Sequence, residues 1–140
     1  MYFIQRIKPE LALRLGLGLT HLYSGQYLIR HPTAWFWAVP FWLREIIAQA
    51  LEIETYLKIQ GVIEIIFALV LLAWFIKGRP VFYVALLSTL EFTVILLLAF
   101  LSFSEVNFFI TFRDIGLLGA ASALLIIYLK KERPNEVGPQ

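Results

Sequence analysis

The stretch VFYVALLSTLEFTVILLLAFLSF, residues 81–103, carries a single acidic or basic residue, Glu91. A hydrocarbon core about 30 Å thick is crossed by roughly 20 helical residues, so a run this long and this apolar reads as a membrane span. It does not alternate polar and apolar residues as a barrel strand would. In lipid each segment must satisfy its own backbone hydrogen bonds, which means helix. Three further stretches read the same way. Residues 56–76 carry Lys58 near their start and Glu64 inside; residues 108–129 carry Arg113 and Asp114 in their first turns; residues 11–29 carry Arg14 and His21.

Composition leads to the same class. Of 140 residues, 60% are apolar, with 12 Lys and Arg against 10 Asp and Glu. Ordinary soluble domains are about 45–50% apolar and about 25% charged. The absence of cysteine excludes a disulfide framework, a cysteine-based zinc site, an iron–sulfur cluster and a CxxC relay. A net charge of +2 without a basic stripe excludes a nucleic-acid partner. The expected fold is therefore all-α: an integral membrane four-helix bundle in one transmembrane domain, residues 1–132, with a disordered tail at 133–140. Arg14 and His21 interrupt the first apolar stretch and no small-x-small cleavage site follows, so it is expected to be a span rather than a cleaved signal.

Between the first two spans lies an aromatic segment with Trp35, Trp37 and Trp42, broken by Pro32 and Pro40. Tryptophan favours the membrane–water interface, since indole joins an apolar body to one N–H. Residues 43–57 carry apolar positions at helical spacing and read as one short amphipathic helix. Together they are expected to form an interfacial loop and helix, with a plain extramembrane loop as the alternative. Lys and Arg number seven over the N-terminus, the 77–79 loop and the tail, against four on the opposite side. The excess of positive charge places both termini in the cytoplasm of a multi-pass protein of the cell membrane.

Ionisable groups inside a bilayer cost at least about 2.5–3.5 kcal/mol on insertion scales, so they are expected to turn inward and find partners. Arg14, Gly18, His21 and Gly25 fall on one stripe of the first span, with Leu15, Leu19 and Leu22 left to meet lipid. Val84, Ser88, Glu91 and Ile95 share a face of the third span, and Gly116, Ala120 and Ala123 mark an expected packing face of the fourth. By depth, Arg113 is the expected partner of Glu64. Glu91, near mid-span, is expected to be neutral, or hydrogen-bonded to His21 or Tyr23. Arg14, His21, Glu64, Glu91, Arg113 and Asp114 thus form a candidate polar pocket; mere registration of the helices is the alternative reading. His21 and His31 lie about 15 Å apart along one helix and do not ligate one haem iron. No histidine–carboxylate spacing suits a metal, and no GxSxG, P-loop or HExxH motif occurs, so no catalytic residue is assigned.

The segment LALRLGLGLTHLYSGQYLIRHPTAWFWAVPFWL, residues 11–43, resembles the opening of the DoxX-like membrane proteins. The matching positions are Arg14, Gly25, Ala34, Trp35, Val39 and Pro40. GVIEIIFALVLLAWFIKGRP, residues 61–80, resembles the family's second helix, with Glu64 and Arg79 at its acidic and basic positions. RDIGLLGAASAL, residues 113–124, resembles the opening of its fourth. The likeness covers nearly the whole chain; one departure is that residues 26–30 lack the lysine often found after the first-helix glycine. It implies a four-helix membrane bundle and a role as a non-catalytic or quinone-interacting membrane subunit of a redox-associated complex. A quinone is the ligand implied, and the lipid bilayer and a soluble or membrane oxidoreductase the partners. Fold does not transfer function, so two other readings stand beside it: a scaffold or assembly factor without chemistry, and a small proton-coupled transporter working through Glu91.

Overall fold

A computed structural model describes residues 8–102 and 113–132. Among them there are six helices and no strand. In chain order they are α1 (Pro9–Arg30), a 3-10 helix (Pro32–Ala38), α2 (Phe41–Ala48), α3 (Ile53–Leu72), α4 (Arg79–Ser102) and α5 (Asp114–Glu132). Two of them, over Ile53–Leu72 and Arg79–Phe100, are long and apolar enough to cross a membrane, with mean hydropathy 1.8 and 2.2. The expected tail at 133–140 and the start of the expected fourth span lie outside the described residues.

Chain punctuation sets the helix ends. Pro9 opens α1, where its missing N–H has no intrahelical role. Pro32 biases the residue before it away from helix, and His31 leaves α1 there while its N–H still bonds the Tyr27 carbonyl. Pro40 precedes α2 with a non-helical backbone, φ −55 and ψ 148. Gly78 adopts φ +73 in the turn between α3 and α4, a left-handed conformation that disfavours any residue with a Cβ.

The amphipathic helix expected over residues 43–57 is two pieces. Helix α2 ends at Ala48, the chain turns through residues 49–52, and the remainder is the first turn of α3. No proline or glycine marks that break. It lies where α3 must set out along α1, so tertiary packing overrides local propensity.

Among the described helices the pairing of α1 with α3 is the most extensive, and the two are antiparallel. Gly25 and Gly61 face each other across the crossing. A Cβ on Gly25 would lie 2.6 Å from the Gly61 carbonyl oxygen, and one on Gly61 2.7 Å from the Gly25 oxygen. The backbones therefore touch, as small residues allow between closely packed helices. Helices α4 and α5 form the second close pair. The core between the pairs is built on Leu17, Leu71, Val81, Ala85, Leu124 and Tyr128. The buried stripe of α5 is Asp114, Ala121, Leu124 and Tyr128. This corrects the expected Gly116 face: a Cβ on Gly116 would meet nothing within 4 Å, because bulkier side chains of the α5 core turn inward instead. Outside, leucines, isoleucines and aromatics such as Leu15, Leu19, Ile66, Leu69, Leu87 and Val94 are exposed.

Two polar contacts fasten the end of the molecule where α1 begins. Arg14, only 3% exposed, donates from Nε to the Leu71 carbonyl at 2.9 Å and from one terminal nitrogen to Val70 at 3.2 Å and Ala73 at 2.7 Å. These are carbonyls of the last turn of α3 and its cap, which lack intrahelical donors and carry the negative end of the helix dipole. Nearby, Tyr128 and Lys131 of α5 both donate to the Glu10 carboxylate. Burial alone pushes the Glu10 carboxyl up. The hydrogen bonds from Lys131 and Tyr128 and the positive charges of Lys131 and Arg14 outweigh it, holding the group below its ordinary value of 4.5.

Two outcomes follow. Gly25→Ala lowers thermal stability in detergent, by about 1–3 kcal/mol if the crossing must open as an overpacked core does; Gly16→Ala, where a Cβ meets nothing, does not lower it and raises it by up to about 1 kcal/mol through helix propensity. Because Glu10 titrates lower in the folded state, its stabilisation is full above pH 4.5 and is lost as the pH falls through the depressed value. Melting curves of the native chain and Glu10→Gln are thus separated at neutral pH and converge on acidification.

Candidate functional site

The stripe of α1 that packs on α3 and α4 places His21 at the centre of the molecule, 2% exposed. Its ring stacks on Phe92 of α4 and meets Phe67 of α3 edge-on, with both centroids at 5.5 Å. Nε2 shares a hydrogen bond of 2.9 Å with the Ser88 hydroxyl. Nδ1 faces the Glu64 carboxylate at 3.9 Å. A carboxylate on that side favours the proton on Nδ1, which leaves Nε2 to accept from Ser88.

The order serine, histidine, carboxylate is that of a nucleophilic triad. Access decides against that role. Ser88 is fully buried and is not part of the cavity wall. The contact therefore ties α1 to α4, and the Ser88 hydroxyl does not open onto the cavity described next.

Next to His21 lies a cavity of about 390 Å³. That is within the usual size of small-molecule sites, about 300–1,000 Å³. Its polar wall is Thr20, His21, Ser24, Gln60, Glu64, Glu91, Arg113 and Asp114. Its apolar wall draws on Trp35 and Val39 of the aromatic segment, Tyr56 of α3 and Phe92 of α4. Leu90 and Val94 belong to the wall and are also exposed on the outside of α4, so the cavity reaches the flank of the molecule.

Five of the six expected pocket residues converge here. Arg14 does not, because its guanidinium is committed to the end of α3. Glu64 faces His21 rather than Arg113. Arg113, its side chain 67% exposed, reaches its neighbour Asp114 at 3.3 Å. Glu91 accepts a hydrogen bond from neither His21 nor Tyr23; Gln60, one turn before Glu64 on α3, donates to its Oε1 at 2.5 Å. Gln60 is not among the residues expected from the sequence, where its only signal is an amide sharing a helix face with Glu64. Two buried oxygens, Glu64 Oε2 and Glu91 Oε2, accept no hydrogen bond. Among the three tryptophans of the aromatic segment, Trp35 stacks on Trp37 at 5.6 Å and enters the cavity wall, whereas Trp42 is exposed on α2.

Among the described residues no group of three His, Cys, Asp or Glu side chains is arranged to hold a metal ion. Comparison with protein families, with curated proteins and with solved structures returns no match.

If Ser88 only braces His21, Ser88→Ala strands a buried ring nitrogen and costs about 1–3 kcal/mol of stability. A serine-directed fluorophosphonate would leave Ser88 unlabelled, as peptide mass spectrometry would show.

Proposed function

We propose that this chain is a DoxX-like multi-pass protein of the cell membrane that holds a small amphiphilic molecule and serves a redox-associated complex as a non-catalytic subunit. The observation that carries the binding role is the cavity: about 390 Å³, apolar on most sides, with its polar groups converging at His21, Glu64 and Glu91. The membrane setting is supported by the two long apolar helices and by the leucines and isoleucines exposed along all four long helices. A four-helix bundle with both termini cytoplasmic accommodates them, the exposed apolar faces meeting lipid. The opening at Leu90 and Val94 then faces the bilayer, which gives an amphiphile a lateral way in.

The polar wall bears on the quinone that the sequence resemblance implies. A quinone head offers two carbonyl acceptors and is held by donors. The hydroxyls of Thr20 and Ser24 belong to the half-buried part of the wall, and the most buried part is short of donors instead. The Gln60 amide donates to Glu91, and the two orphaned atoms are carboxylate oxygens. The residues at the deep end therefore do not fit an oxidised quinone head.

Mass spectrometry of small molecules that co-purify with the protein in nanodiscs, against empty nanodiscs, tests the binding role. An enriched amphiphile is the expected result. Bulk lipid alone would replace this reading with that of a scaffold or assembly factor.

A further inference from the structure

The orphaned oxygens define what kind of amphiphile suits the site. Glu64 is 92% buried at its side chain, lines the cavity and has an oxygen without a donor. Glu91 lines the same cavity and has one too. A buried acceptor left unpaired costs about 1–3 kcal/mol, and more when it is charged, so such groups in a folded chain call for a partner.

Among the described residues, no cation of the protein supplies one. Arg14 is spent on the α3 carbonyls, Lys131 on Glu10 and Lys58 on Glu54. Arg113 lines the cavity but is paired with Asp114. His21, at 3.9 Å, faces Glu64 from beyond hydrogen-bond reach. Three carboxylates, Glu64, Glu91 and Asp114, thus share one cavity with one arginine and one imidazole. The remaining wall suits an organic cation. Trp35, Tyr56 and Phe92 present aromatic rings, whose faces attract ammonium groups, and the flank at Leu90 and Val94 is aliphatic.

Resting on the reading of this cavity as a ligand site, we infer that it takes an organic ammonium ion with an apolar substituent. The N–H groups meet Glu64 and Glu91, and the apolar part extends past Phe92 toward Leu90 and Val94. A primary ammonium has three donors and no acceptor, the complement of the two orphaned oxygens. A neutral alcohol of the same shape has one donor and no charge.

The test uses the full chain in nanodiscs with 4-phenylbutylammonium, the neutral 4-phenylbutan-1-ol and decylubiquinone as probes. Titration calorimetry is referenced to empty nanodiscs. Saturable binding of the ammonium is expected, with the alcohol weaker by about tenfold or more. Glu64→Gln and Glu91→Gln should each weaken the ammonium by a similar factor, whereas Glu54→Gln, the same charge change at an exposed site, should not. The comparison of probes on the native chain stands even where a variant fails to fold. Equal binding of alcohol and ammonium, or undiminished ammonium binding by a folded Glu64→Gln, overturns the inference. Binding of decylubiquinone alone also overturns it but leaves the cavity a ligand site. Binding of none of the three removes both.

Discussion

The contact on which the molecule depends is the touching of two backbones at Gly25 and Gly61. Everything polar in the interior is measured from it. His21 lies one turn before Gly25 on α1, and Glu64 about one turn after Gly61 on α3, so the crossing itself brings imidazole and carboxylate to the same level. Arg14, two turns further toward the start of α1, arrives at the last turn of α3 for the same reason. Side chains at the two glycine positions would separate the helices. The His21–Glu64 approach, the Arg14 clamp and the wall of the cavity would then be lost together.

That geometry makes two uses of buried charge. At one end the charge is fully employed: a guanidinium meets carbonyls at the end of a helix that have no donor within that helix, and a carboxylate receives a tyrosine and a lysine. Such groups hold an end of the fold together and leave nothing over for a ligand. In the middle the accounting is open. His21 is held by Ser88 and two aromatic rings, yet the carboxylates beside it keep unpaired oxygens on a cavity. The same residue classes thus act as fastenings at one level and as an unfilled set of acceptors at another. The difference lies in what stands opposite each of them.

How much of this the sequence foretells depends on where the partner of a residue lies. Burial of Arg14, Gly18, His21 and Gly25 on one stripe is legible, since helical periodicity reports which face turns inward. So is the exposure of Leu15, Leu19 and Leu22. Helix ends at His31 and around Pro40 are legible because proline fixes the local backbone. What Arg14 meets is not legible, because its partners are main-chain carbonyls, which every sequence has. Glu64 and Arg113 lie at similar depth, but depth says nothing of rotation about a helix axis, and rotation turns Glu64 toward His21. The break between Ala48 and Ile53 leaves no trace in residue type. The convergence of five ionisable residues on one cavity was legible as a polar set, whereas the role of Gln60 rests on one amide among many polar side chains.

The central claim is that the apolar exterior of this bundle faces lipid while its cavity lies behind it. The chain has no cysteine, so single cysteines report without background. Cysteines placed at Leu19, Ile66 and Leu87, on the exposed apolar faces of α1, α3 and α4, are treated in intact membranes with a membrane-impermeant maleimide, alongside one at the exposed Glu45 on α2. The account predicts modification at Glu45 and none at the other three until detergent is added. Labelling of Leu19→Cys, Ile66→Cys and Leu87→Cys in intact membranes at the rate of Glu45→Cys would contradict it.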